Sequence, residues 1–230
     1  MIRFREFEQF GVSIAAFSSK DDGDCRRGKA GRTRFCNTCG VSPEHLVCAN
    51  QVHGAGIARV DERDRGQGAL DAGTAIPETD GLVTDVPGLP LTLLVADCVP
   101  VYLFDEARRA VGLVHAGRRG TAAGIASEAV DALRREFGTD PSDVHALIGP
   151  SAGPSAYEVS HEMAEEWRAL GLPASGRRLD LWSANVQQLV EAGIPRERVV
   201  VTGCCTIEDG RFYSHRREPD GRRNMALMMI

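Results

Sequence analysis

Between residues 81 and 115 four short apolar runs follow one another closely: GLVT at 81–84, PLTLLVA at 90–96, PVYLF at 100–104 and AVGLVH at 110–115. Each is cut off by Pro, Gly or Asp before it reaches helical length, and Val and Leu dominate. That combination predicts strands, and the near-continuous apolarity predicts a sheet covered on both faces. Further strands are expected at 12–17, 46–50, 57–60, 144–148 and 198–202. Those at 46–50 and 57–60 flank a turn at His53-Gly54-Ala55-Gly56. Helical spacing is clear at 120–137, where Ala122, Ala126, Ala129, Val130, Leu133 and Phe137 form one apolar face and Gly138 supplies a stop. Shorter helices are expected at 160–170, capped by Ser160, and at 184–192, capped by Ser183 and ended by Gly193. The polar, Gly-rich stretch 18–40 reads as a long loop, and 62–80 is similar in composition. From Arg211 turn signals lead into a short apolar end, MALMMI. Strands and helices that mix without strict alternation point to an α+β fold. No repeat or low-complexity linker divides the chain, so residues 1–230 read as a single domain.

Composition narrows the function classes. At 43% apolar and 26% charged residues the chain is an ordinary globular protein. Its formal charge of −5 argues against nucleic acid as a partner, because phosphate neutralisation supplies most of such affinity. The basic residues are 25 Arg and only two Lys, Lys20 and Lys29. Guanidinium groups are rigid and always charged, and suit phosphate. The charged amino terminus, MIRFREFEQF, lacks the apolar core of a secretion signal. The most apolar stretch, residues 89–104, is broken by Pro90, Asp97 and Pro100, which excludes a bilayer span. The seven Cys therefore read as reduced thiols or metal ligands, and a cytoplasmic protein without a membrane partner is expected.

Three motifs begin where apolar strands end: Gln51-Val52-His53-Gly54, Ala96-Asp97-Cys98-Val99-Pro100 and His115-Ala116-Gly117-Arg118-Arg119-Gly120. Side chains on loops held by a rigid scaffold are the usual place for a site. His53, Cys98 and His115 make a three-ligand set with a fourth position free, the pattern of catalytic zinc. The same residues also admit a Cys98 thiolate nucleophile with His115 as its base, and spacing does not separate the two. Arg118 and Arg119, at the start of the 120–137 helix, suit an anion. Cys36-x-x-Cys39, with Cys25 and Cys48 nearby, invites a structural metal, although a second CxxC is missing. Tyr213, His215, Arg216 and Arg217 form a last cluster suited to an aromatic, anionic ligand.

In this order NQVHG, DGLVT, ADCVP, VHAGxRG, IGPSxGPSxYEV and FYSxRR resemble the YfiH or laccase-domain family, over essentially the chain from Phe17 to Arg217. The resemblance implies a single-domain α/β/β/α sandwich with mixed central sheets, and a zinc site built from His53, Cys98 and His115. Members are described as multifunctional purine nucleoside enzymes and, in older descriptions, as polyphenol oxidases. The implied activities are phosphorolysis of adenosine, inosine, guanosine and methylthioadenosine, and deamination of adenosine. Zinc would lower the pKa of a bound water for attack at the purine C6 position. Arg119, with Arg118 and Arg216, is the candidate for holding phosphate, and Asp97 for orienting the Cys ligand or carrying a proton. The expected partners are purine nucleosides and phosphate, with the chain a monomer or weak homo-oligomer.

The chain departs from the family pattern at several points. Arg118 stands where the family usually has Trp, and Ser155-Ala156 precede Tyr157 where a Cys is usual. The common FSYRR is replaced by Tyr213-Ser214-His215-Arg216-Arg217, and the CxxC segment replaces an Asn-Arg stretch. These changes bear on substrate preference and leave the metal triad whole. Two rival readings are a copper-binding polyphenol oxidase using the same site, and a cysteine hydrolase using Cys98 and His115. A non-catalytic metal-binding module is a third.

Overall fold

The computed structural model describes residues 1–230. In chain order the regular elements begin with β1 (Ile2–Arg3), β2 (Ile14–Phe17), α1 (Ala30–Thr38), β3 (Val47–Cys48) and β4 (Ile57–Arg59). There follow β5 (Gly81–Thr84), β6 (Leu91–Val95), β7 (Val99–Asp105), β8 (Ala110–Ala116), α2 (Arg118–Ala122) and α3 (Ile125–Phe137). The last third holds β9 (Val144–Ile148), α4 (His161–Ala169), β10 (Ala174–Ser175), β11 (Arg178–Leu179), α5 (Leu181–Glu191), β12 (Val199–Val201) and β13 (Asn224–Met229). No helix is long and apolar enough to cross a membrane.

Two mixed sheets result, one in the order β1-β2-β13-β6-β3 and one in the order β12-β9-β7-β8-β5-β4; β10 and β11 form a separate hairpin. Alternation along the strands decides the layering. On β7, Val101 and Leu103 pack with Ala126, Ala129, Val130 and Leu133 of α3. The intervening Tyr102 and Phe104 pack with Phe17, Leu93 and Met228 of the other sheet. The far face of that sheet, through Ile14, Ala16, Met225 and Leu227, packs with Phe35 and Cys36 of α1. The molecule is thus an α+β sandwich of two mixed sheets with helices on both outer faces. Each fully buried Val, Leu or Phe of these cores stabilises it by about 1.5–3 kcal/mol. Tyr102 is fully buried, and its hydroxyl donates to the Ala16 carbonyl at 2.8 Å across the sheet interface, so the polar tip costs little.

The apolar runs at 81–115 all become strands, but β6 leaves its neighbours for the other sheet. The expected strands at 46–50 and 57–60 also separate, β3 pairing with β6 and β4 with β5. The turn at His53 therefore bridges the two layers. Other expectations are corrected. Segment 18–40 contains α1, whose buried face is Gly31, Arg32, Phe35 and Cys36. A buried Arg breaks the apolar periodicity, and its guanidinium is satisfied by the carbonyls of Cys25 and Ala69. The 120–137 helix is interrupted at Gly124, whose φ of +81° ends α2 and starts α3; Gly138 stops α3 as expected. Helix α5 starts three residues early. Asp180 is its cap, accepting from the Ser183 N–H at 2.9 Å, and Ser183 lies inside the helix. Ser160 caps α4 as expected. The short apolar end MALMMI becomes β13, which sits in the middle of its sheet, paired with β2 and β6.

Candidate metal centre

Three loops meet at one end of the six-stranded sheet. His115 is the penultimate residue of β8, and Cys98 immediately precedes β7. The antiparallel register places Pro100 opposite His115 and Val99 opposite Ala116, which carries Cys98 to Gly117. A Cβ on Gly117 would lie 3.0 Å from Cys98 Sγ and 3.4 Å from His53 Cδ2, and one on Gly120 would lie 2.6 Å from the Gly54 carbonyl. Both glycines of the HAGRRG motif are therefore required for the loops to close. His53 and Asp97 have φ of +60° and +85°, a conformation that L residues adopt only under constraint.

The constraint on His53 is Asp80, a fully buried residue just before β5. Its carboxylate accepts from the backbone N–H groups of Val52, His53 and Gly54 at 3.1, 2.9 and 2.7 Å, and from His115 Nδ1 at 2.8 Å. Burial opposes ionisation of Asp80, yet the His115 ring and these N–H groups hold its carboxyl below the ordinary range. An ionised acceptor at Nδ1 fixes the His115 proton there and leaves Nε2 for the site.

The ligand atoms of His53, Cys98 and His115 lie within 4.8 Å of one another, and this is the molecule's one convergent group of three or more such donors. The two imidazole rings meet edge to face, 4.8 Å between centroids. His115 is buried, Cys98 half-buried and His53 exposed. Burial opposes the Cys98 thiolate, but His115 and His53 beside it bring its pKa down to about 6. Burial likewise opposes the His115 imidazolium, but Cys98 and Asp80 raise its pKa to about 9. Two imidazoles and a thiolate, one ring already oriented by a carboxylate, fit a zinc or copper ion as donors.

The triad lies between two clefts. The larger, about 670 Å³, continues past Gln51, Ala96 and His215 to Arg26 and Arg223. The smaller, about 230 Å³, is lined by Asp97, Arg118, Arg119, Tyr157, His215 and Arg216 together with His53 and Cys98. All the singled-out arginines except Arg217 thus come together. Arg119 follows the first residue of the five-residue α2 and not the start of a long helix, so its anion affinity rests on the side chain. Arg216 lies over the Tyr157 ring, 5.2 Å from its centroid. Asp97 accepts from the Thr206 hydroxyl and from the Arg216 N–H, each at 2.7 Å. The Gly/Pro turn after β9 also closes on this region, the Ala152 N–H donating to the Asp97 carbonyl at 2.8 Å. Arg217 turns away and is occupied by the carbonyls of Thr206, Ile207 and Phe212. Cys25, Cys36 and Cys48 are buried in the core beneath α1 and do not converge with Cys39 on a ligand set. Asp80 is the residue that sequence reasoning left without a role, although it opens the DGLVT motif.

The chain matches the family described as multi-copper polyphenol oxidoreductase laccase over residues 9–230. It is 41% identical over 198 residues to the purine nucleoside phosphorylase YlmD of Geobacillus stearothermophilus, covering 81% of this chain and 72% of that protein. It is 36% identical over 232 residues to a purine nucleoside phosphorylase of Corynebacterium glutamicum, covering 96% and 90%. Among solved structures, the YfiH protein of Bacillus licheniformis superposes with a TM-score of 0.89 at 34% identity, covering 100% and 96% of the two chains. The YlmD crystal structure gives 0.86 at 36% identity, covering 94% and 91%. Matches of this extent take in both sheets and the three loops of the site, and the chain belongs to the YfiH or laccase-domain family.

Proposed function

We propose that the protein is a zinc-dependent purine nucleoside enzyme that cleaves adenosine, inosine, guanosine and methylthioadenosine with phosphate, and deaminates adenosine. One observation carries this reading: a His/Cys/His donor set stands between a large cleft and a smaller one lined by arginines. The names of its relatives agree with the purine nucleoside phosphorylase part of this reading. The guanidinium groups of Arg118 and Arg119 line the smaller cleft without an ion pair or hydrogen bond to the protein. That of Arg216 bonds only to the Glu158 carbonyl. These three side chains hold the phosphate, since an unpaired guanidinium presents its fork of donors to a dianion. Asp97 is a positioning residue. Its carboxylate oxygens accept from the Thr206 hydroxyl and the Arg216 N–H, which sets the Arg216 loop, and each keeps a lone pair with which to take a proton. His53, Cys98 and His115 would hold the zinc, with Asp80 fixing the His115 tautomer. A bound zinc supplies Lewis acidity and a water of lowered pKa at this place.

Phenol oxidation by copper has less support, because four-electron reduction of oxygen draws on several coppers and a single convergent donor group is present. The thiolate reading keeps one feature in its favour, Cys98 set against His115. The test is elemental analysis with a base-release assay on adenosine plus phosphate, in the wild type and in Cys98→Ala. About one zinc per chain and base release, both lost in the variant, is the expected result. A metal-free wild type whose turnover survives a chelator and stops with a thiol reagent would overturn it in favour of a cysteine hydrolase.

A further inference from the structure

The larger cleft has a charge pattern that a neutral nucleoside leaves unexplained. In a chain with 32 acidic residues and a formal charge of −5, no Asp or Glu lines it. Its walls carry Arg26, Arg223 and the three histidines 53, 115 and 215. Gln51, the one neutral amide in the wall, is held by the Leu94 backbone: its side chain donates to the Leu94 carbonyl and accepts from the Leu94 N–H, each at 2.9 Å. Arg26 is paired with Asp24 at 2.7 Å, and the same carboxylate takes the Arg223 N–H. The Arg223 guanidinium is different. It makes no ion pair, and its one bond, at an exposed position, is to the carbonyl of the adjacent Arg222. An unpaired guanidinium in a cleft wall keeps its fork of donors free for an anion. The smaller cleft already carries Arg118, Arg119 and Arg216 for one anion. Arg223 lines the larger one and not the smaller, whereas Arg118, Arg119 and Arg216 line the smaller and not the larger.

We propose that the larger cleft takes purine nucleosides bearing an anionic group remote from the glycosidic bond, a 5′-phosphate being the simplest, and that Arg223 recognises that group. The proposal rests on the nucleoside reading above and names a substrate class within it. The smaller cleft holds the phosphate that attacks; Arg223, in the larger, anchors the charge the substrate brings. The absence of carboxylates from the wall of the larger cleft favours an anionic substrate there.

Calorimetric binding of adenosine and of adenosine 5′-monophosphate tests this without relying on turnover, in the zinc-loaded wild type, Arg223→Ala and Arg223→Lys. In the wild type the monophosphate binds about tenfold or more tighter than adenosine, the increment of a charge-assisted contact. In Arg223→Ala that ratio falls to about one, and in Arg223→Lys it is largely kept. Equal binding of the two ligands by the wild type overturns the proposal and leaves the nucleoside reading standing. So does a ratio unchanged in Arg223→Ala, or inorganic phosphate alone competing for the Arg223-dependent increment as strongly as the monophosphate. Failure of both adenosine and its monophosphate to bind overturns the nucleoside reading itself.

Discussion

The six-stranded sheet carries a histidine–carboxylate pair at each end, and the two behave differently. At one end His115 Nδ1 meets Asp80 at 2.8 Å; at the other His145 Nε2 meets Glu106 at 3.1 Å. The two histidines flank β7, opposite Pro100 and Phe104 respectively. Asp80 is 0% exposed and Glu106 side chain 36%. At His145 the paired nitrogen also faces Arg198 at 3.0 Å, Arg198 reaches Glu106 at 3.1 Å, and Phe10 stacks on the ring. Every group there has its partner within a small surface network. At His115 the carboxylate binds the far nitrogen and three backbone N–H groups besides, so the near nitrogen is left to the Cys98 side. A histidine beside an acid is not in itself a site. The distinction lies in which nitrogen the acid takes and in what the acid holds with its remaining lone pairs.

The sharpest way to break this comparison is Asp80→Ala. It strands three backbone N–H groups and the His115 ring in the interior, and the expected loss is about 3–5 kcal/mol in denaturant unfolding. Zinc affinity is expected to fall about 10–100-fold, read by competition with a chromogenic chelator. Gly120→Ala comes next. Its Cβ would meet the Gly54 carbonyl at 2.6 Å, so about 1–3 kcal/mol is lost and the His53 loop is displaced; weakened zinc retention with the circular dichroism spectrum intact is the signature. At the other end, Glu106→Gln is expected to cost under about 1 kcal/mol and leave zinc retention untouched. An effect there as large as that of Asp80→Ala would dissolve the contrast.

The smallest effect concerns pH in the metal-free protein. His115, with a folded pKa raised to about 9, contributes stability that is lost as pH rises from 6.5 towards 9. Cys98, lowered from 9.0 to about 6, contributes stability that grows over nearly the same window. Folding there only moves one proton from thiol to imidazole, so unfolding free energy attributable to the pair is flat between about pH 6.5 and 9. A thiolate absorbance midpoint near 6, present in wild type and absent in Cys98→Ser, checks the assignment; a midpoint near 9 would refute it.

The comparison also marks what the sequence could reveal. His53, Cys98 and His115 were visible because each follows an apolar strand at a Gly- or Pro-marked turn, and strand ends at one edge of a sheet converge. Asp80 was not, because its partners are backbone N–H groups 26 to 28 residues earlier and a ring 35 residues later. Those bonds exist only once β4, β5 and β8 have paired. Most strands of the six-stranded sheet were legible from their Val-rich runs. Helix α1 was hidden by the buried Arg32, and β13 by its place after a polar, turn-rich segment. The split of β3 from β4 between sheets was hidden for a different reason: a turn looks the same locally whether it closes a hairpin or crosses a core.

The position of β13 has a consequence for how the molecule is made. Residues 224–229 form the centre of the five-stranded sheet, between strands that start at residues 14 and 91. On the ribosome β2 and β6 emerge first and lack the partner that joins them. The inter-sheet core and the His215–Arg216 loop, which leads into β13, come together after synthesis has passed residue 229. A chain halted before that point leaves β2 and β6 unjoined, with open sheet edges and an unfinished site.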